Sequence, residues 1–103
     1  MMATPALLDM TLYGEIAAGA EKFHKVLLDE DVEYTITLTP EDMDADLDFY
    51  ITDQTCAVIF QDETSEPGAQ VYFTPDYTGP HFFFVRGVEG QTPYTITVKE
   101  NPA

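Results

Sequence analysis

Basic side chains are nearly missing from this sequence: Lys22, Lys25, Arg86 and Lys99 stand against 19 acids, for a net charge of −15. Attachment to nucleic-acid phosphates needs lysine and arginine, so direct nucleic-acid binding is excluded. Cys56 is the one cysteine, which rules out an intrachain disulfide and a cysteine-built zinc site. As a small apolar residue it is expected to be buried without a special role. Ser65 is the one serine, His24 and His81 are the two histidines, and no G-x-S-x-G elbow or phosphate-cradling glycine loop occurs. Catalysis is not expected. No apolar run is long enough for a membrane span, and "MMATPALLDMTLYGE" lacks the basic n-region of a signal peptide. The chain is therefore expected to be soluble, and either is not exported by a standard signal or is given without one; its location stays open, a virion or extracellular surface included.

What the sequence does contain is alternation. "VEYTITLT" puts Val32, Tyr34, Ile36 and Leu38 on one face and Glu33, Thr35, Thr37 and Thr39 on the other. "DLDFYIT", "AQVYFT" and "PYTITVK" repeat the period of two, and their β-branched and aromatic residues suit a half-buried pleated surface. Turn formers separate the runs, in "AAG", "DED", "TPED", "SEPG", "PDYTGP" and "GVEGQTP". "EIAAGAEKFHKVLL" has the alanine content of a helix, but Gly19 at its centre would cost about 1 kcal/mol there, so strand, turn, strand is preferred. About eight strands follow, near 10–16, 22–28, 32–39, 46–53, 57–61, 69–74, 81–86 and 93–99. The 103 residues make one domain. The pattern predicts an all-β, single-domain antiparallel β-sandwich, with residues 1–9 as an extended N-terminal arm.

In order and spacing, "GEIAAGAEKFHKVLLDEDVEYTITL", "DADLDFYI" and "VYFTPDYTGPHFFFVRGVEGQTPYTITV" resemble the bacterial pre-peptidase C-terminal domain family over residues 14–98. The resemblance implies a jelly-roll-like sandwich without catalysis of its own, usually an appendage of secreted enzymes, some relatives binding calcium or polymeric substrates. It also places Asp46 and Asp48 on the family's D-x-D, with a loop-tethering role, and Gly79 on the turn before its aromatic strand.

Residues 26–85 hold fourteen acids and no lysine or arginine. If the strands run back and forth, the loops near 17–21, 40–45, 62–68 and 87–91 share one end, and the crowded carboxylates there favour a cation. "DMDADLD" starts like an EF-hand loop, but Leu47 stands where the turn needs glycine and Asp53 where it needs glutamate, so that motif is rejected. A calcium ion held by Asp42, Asp44, Asp62 and Glu63 remains an option beside simply solvated acids.

"PHFFFVRG" puts Phe82 and Phe84 on one face and His81, Phe83 and Val85 on the other. Alternation does not say which is inside; the resemblance implies His81, Phe83 and Val85 in the core and Phe82 and Phe84 outward. Joined by Tyr50 and Tyr72, the outward pair would form an apolar partner-binding patch, unless a loop or the segment "PALLDM" covers it. The leading reading is a non-catalytic docking protein attaching to a larger assembly such as a virion, filament or envelope layer, with a protein partner or self-association. A calcium-assisted accessory module for a protein or polysaccharide polymer is the alternative; a shortage of exposed aromatic platforms weighs against it. An acidic decoy for a nucleic-acid-binding protein ranks lower.

Overall fold

Side chains that alternate between apolar and polar can bury one face only if two sheets close on each other. The computed structural model, which describes residues 6–102, shows this arrangement. The strands are β1 (Asp9–Ala17), β2 (Glu21–Leu28), β3 (Tyr34–Pro40), β4 (Asp46–Thr52), β5 (Val58–Asp62), β6 (Ala69–Phe73), β7 (Gly79–Glu89) and β8 (Gln91–Glu100). One sheet has the order β1-β8-β3-β6 and the other β2-β7-β4-β5, with every pair antiparallel. First pairs with last, second with seventh, third with sixth and fourth with fifth, as in an eight-stranded jelly roll. The expected β-sandwich is what the chain forms, and the strand–turn–strand reading around Gly19 holds: Gly19 sits at φ 83° in the turn joining β1 to β2. Of the expected arm, residues 1–5 lie outside the described residues, and Asp9 already belongs to β1.

The core is the inward set of both sheets. Ile16, Val26, Ile36, Leu38, Phe49, Ile51, Phe83, Val85, Ile96 and Val98 are each at most 2% exposed, and each such side chain stabilises the fold by about 1.5–3 kcal/mol. Phe49 stands at its centre, edge-on to Phe60 and Phe83 with centroids 6.3 and 5.9 Å away. Register shifts beside Asp46/Leu47 and Ile51/Thr52 of β4 leave Val88 as an extra residue in β7 and Ile59 as an extra residue in β5. Each bulge locally adds twist to its strand.

His81 is fully buried, on the face that the resemblance implied. Its ring stacks on Tyr77 at 4.4 Å and meets the edge of Phe73 at 5.6 Å. Nδ1 lies 3.1 Å from the Gly79 carbonyl, the geometry of a neutral ring donating from Nδ1, and Nε2 is buried without a partner. Burial lowers its pKa below the ordinary 6.5, against the opposing pull of the Gly79 carbonyl, Asp76 and Asp53. A depressed histidine pKa means that the unfolded chain takes up the proton first, so this contribution to stability is present above pH 6.5 and lost as pH falls below it. The urea midpoint of the wild type should therefore drop between pH 7.5 and 5.5, and His81→Phe should flatten that drop. His24, whose pKa is also lowered, by burial and by Lys22, leaves a residue of it. A profile equally steep in both proteins would refute this account of His81.

Candidate functional site: the outer face of the β2-β7-β4-β5 sheet

In "EKFHKVLL", Val26 and Leu28 are buried, which turns Phe23, Lys25 and Leu27 outward. The same logic in β7 buries His81, Phe83 and Val85 and turns Phe82, Phe84 and Arg86 outward. Strand register then lays these residues in rows. Phe23 pairs with Phe84 and Phe84 with Tyr50; Lys25 pairs with Phe82, Phe82 with Thr52 and Thr52 with Val58; Glu21 pairs with Arg86 and Arg86 with Asp48. The Phe23 ring lies 5.9 Å from Phe82, edge to face, and 5.7 Å from Phe84, spacings typical of attractive aromatic pairs.

The patch is open. Phe23 is 62% exposed and Leu27 67%, with Val58 and Ile59 exposed at the β5 edge. A shallow cleft of about 250 Å³ runs between Glu21, Tyr50, Thr52, Cys56, Val58 and Phe84. "PALLDM" does not cover it: Leu8 and Met10 pack against the core, and β1 belongs to the other sheet, while Pro5 lies outside the described residues. Tyr50 closes one side, donating from Oη to Glu63 Oε2 at 2.7 Å. Burial and that carboxylate push its phenol up to about 12, so it stays a neutral donor.

Two expectations need correction. Tyr72 does not join Phe82, Phe84 and Tyr50: it lies on β6 of the opposite sheet, paired with Thr35 and 69% exposed on the far outer face. Cys56 is exposed, not buried, and sits at φ 67° in a turn held by Asp53. Asp53 Oδ1 accepts from the backbone of Thr55 and Ala57 and from the Thr55 hydroxyl, and these bonds hold its carboxyl below the ordinary range. Phe23 was missed by the sequence reading. The signal was present, since fixing Val26 and Leu28 inward fixes Phe23 outward.

The acidic loops do meet at one end. Ala18 N donates to Gly90 O at 2.8 Å, Asp42 N to the Thr92 hydroxyl at 2.8 Å, and Met43 shares a cleft with Asp62 and Glu66. Three of the four expected ligands have a carboxylate engaged locally. Asp42 Oδ1 accepts from Asp44 N, Asp62 Oδ1 from Thr64 N and its hydroxyl, and Glu63 from Tyr50 and Gln61. Among the described residues no three histidine, cysteine, aspartate or glutamate side chains gather closely enough to hold a metal ion, so Asp42, Asp44, Asp62 and Glu63 do not converge as a calcium site.

Asp48 is 7% exposed on the outer face beside Arg86; burial, then Asp46 and Glu63, raise its pKa despite the arginine. Asp46 Oδ1 is buried with no hydrogen-bond partner, and Gly79 opens β7 at φ 155°.

His24 Nε2 shares a 2.7 Å hydrogen bond with Tyr94 Oη, and His81 is sealed in the core. Among the described residues no helix is long and apolar enough to cross a membrane.

The sequence matches no family model and no curated protein. Among solved structures, the chain is similar to that of Aeromonas hydrophila PliG, described as a periplasmic lysozyme inhibitor of g-type lysozyme. The two share 12% identity with a TM-score of 0.64 over 98% of this chain and 93% of that one. The likeness is one of fold.

Proposed function

We propose that this chain is a non-catalytic docking protein that holds a protein partner, within a larger assembly, against the outer face of β2-β7-β4-β5. The observation that carries the reading is the open cluster of Phe23, Phe82, Phe84 and Tyr50, on a chain of net charge −15 that has no solubility reason to leave phenylalanine exposed. Rings of this kind, centred in a patch and rimmed by charge, are where interface energy concentrates. The rim here carries Lys25 on one side and the Glu21–Arg86–Asp48 row on the other. Similarity in fold to a protein described as an inhibitor of lysozyme gives a precedent for this architecture acting by holding another protein. The surrounding acids favour a basic partner, whose approach they would accelerate at low salt.

A photo-crosslinking residue in place of Phe23, introduced in the native host, tests this. A discrete protein adduct is expected from position 23 and not from Thr11 on the opposite face. With the captured partner purified, Phe23→Ser should weaken binding about 30-fold, the size of an interface hot spot. Equal adducts from both positions, or an affinity unmoved by Phe23→Ser, would refute the assignment.

A further inference from the structure

The other sheet has an outer face of different chemistry. Threonines line it in register: Thr35, Thr37 and Thr39 on β3, Thr95 and Thr97 on β8, and Thr11 on β1. Thr11 pairs with Thr97 and Thr97 with Thr37, while Tyr13 pairs with Thr95 and Thr95 with Thr39. Gln70 and Tyr72 on β6 complete the field. Threonine suits any solvated strand, so its presence alone decides nothing.

Three features go beyond strand propensity. First, the centre of the face carries no charge although the chain has 19 acids; Asp9 and Lys99 pair at one margin, and Glu15 and Glu41 lie at the other. Second, two tyrosines stand out from it, Tyr13 at 76% and Tyr72 at 69% exposure. Their places in the sheet, three strands and two residue rows apart, separate them by roughly 20 Å. Third, a cleft of about 390 Å³ opens beside Tyr13, walled by Tyr13, Pro40 and Pro93 and edged by Thr39, Thr95 and Glu41. That volume lies within the range of small-ligand sites.

A ligand matched to these features needs an apolar face to lie on a tyrosine ring and groups that both donate and accept, as the threonine hydroxyls do. It must be uncharged, because the surrounding field repels anions and a polycation would settle on the acidic loops instead. It must also extend far enough to reach both rings. A sugar polymer meets each requirement, its C–H faces stacking and its hydroxyls pairing with Thr39, Thr95, Thr97 and Thr37. We infer that the outer face of β1-β8-β3-β6 binds a neutral polysaccharide, with one sugar ring seated in the Tyr13 cleft and the chain running toward Tyr72. This goes beyond the docking role: the two outer faces would join a protein to a glycan.

The test presents the full chain with insoluble cellulose, chitin and starch, and titrates their soluble hexasaccharides while amide and threonine methyl NMR signals are followed. At least one polymer should retain the protein, and its hexasaccharide should shift signals from Tyr13, Thr95 and Thr39. Tyr13→Ala should lower that affinity tenfold or more and Tyr72→Ala by a smaller factor, with unfolding midpoints unchanged because both rings are exposed; Phe23→Ser should leave it intact. Absence of retention and of shifts across the panel would overturn the inference. So would binding that survives Tyr13→Ala, or a cleft that takes a proline-rich basic peptide and no sugar.

Discussion

Phe83→Ala is expected to cost about 3–5 kcal/mol, the range for deleting a fully buried phenylalanine, while Phe84→Ala, one residue along, costs about 1 kcal/mol and Phe23→Ala less still. Phe83 is 0% exposed and packs edge-on to Phe49 across 5.9 Å. Its removal leaves a void that two closed sheets cannot collapse to fill, because the neighbouring inward side chains are held by ladders on both sides of β7. Phe84 lies on the solvent side of the same strand, against Phe23 and Tyr50. In a domain of this size the first change should lower the melting temperature by roughly 15–30 °C and the second by a few degrees. Urea unfolding of the three variants measures the contrast. Equal losses at positions 83 and 84 would mean that the outer face is covered, and the docking proposal would fall with it. Should Phe83→Ala fail to fold, Phe83→Leu keeps the comparison, since it deletes less volume at the same place.

That contrast also shows how much of the molecule was legible in advance. A period of two states which residues share a face, and a single fixed point decides which face is inside. "YTITL" and "YTITV" supply that point unambiguously, since burying Tyr34, Ile36 and Leu38 leaves only threonines outside. "HFFFVR" does not, because both of its faces are apolar; a resemblance to known domains set the register that the structure bears out for His81, Phe83 and Val85. Tyr72 was misplaced for a different reason. Its outward direction follows from Val71 and Phe73 facing in, but which sheet β6 joins depends on tertiary pairing that no local pattern encodes. Asp42, Asp44, Asp62 and Glu63 failed to converge because aspartates in turns satisfy neighbouring backbone amides first. Asp42 and Asp62 both do so at two residues' distance. Crowding of acids along a sequence is thus a poor guide to coordination, and a better one to the long-range field.

With a protein on one face and a glycan on the other, as proposed above, the sandwich would divide two tasks that one face could not support. Aromatic rings at 5.7 and 5.9 Å spacing form a continuous apolar surface suited to a folded partner, whereas isolated tyrosines set in a field of hydroxyls suit an extended, hydrated chain. The strands β2 and β1 that carry Phe23 and Tyr13 follow each other in the chain and are joined by the turn at Ala18, Gly19 and Ala20. That turn is one of the connections that pass from one sheet to the other.

The turn is seated on Gly87, and Gly87→Ala should be the most damaging single-methyl addition among the positions that line it. A Cβ there would lie 2.2 Å from the Ala17 carbonyl oxygen, 2.8 Å from its carbon and 3.3 Å from Ala18 Cα. All three are backbone atoms, which no rotamer change can move aside. Gly87 also fastens the turn: its N–H donates to Ala20 O and its carbonyl accepts from Gly19 N, both at 2.9 Å. Relieving the overlap means lifting the turn and giving up those bonds, at about 3 kcal/mol or more, a fall in melting temperature of roughly 10–20 °C. Gly19→Ala is the control. Its φ of 83° disfavours alanine, but nothing lies within 4 Å of the added methyl, so it should cost about 1–2 kcal/mol. The functional readout separates them further, because Glu21 opens β2 opposite Arg86 and a lifted turn carries Phe23 away from Phe84. Partner binding should weaken in Gly87→Ala at a temperature where the variant is still folded, and persist in Gly19→Ala. A Gly87→Ala protein that melts and binds like the wild type would show that the turn does not set the position of β2.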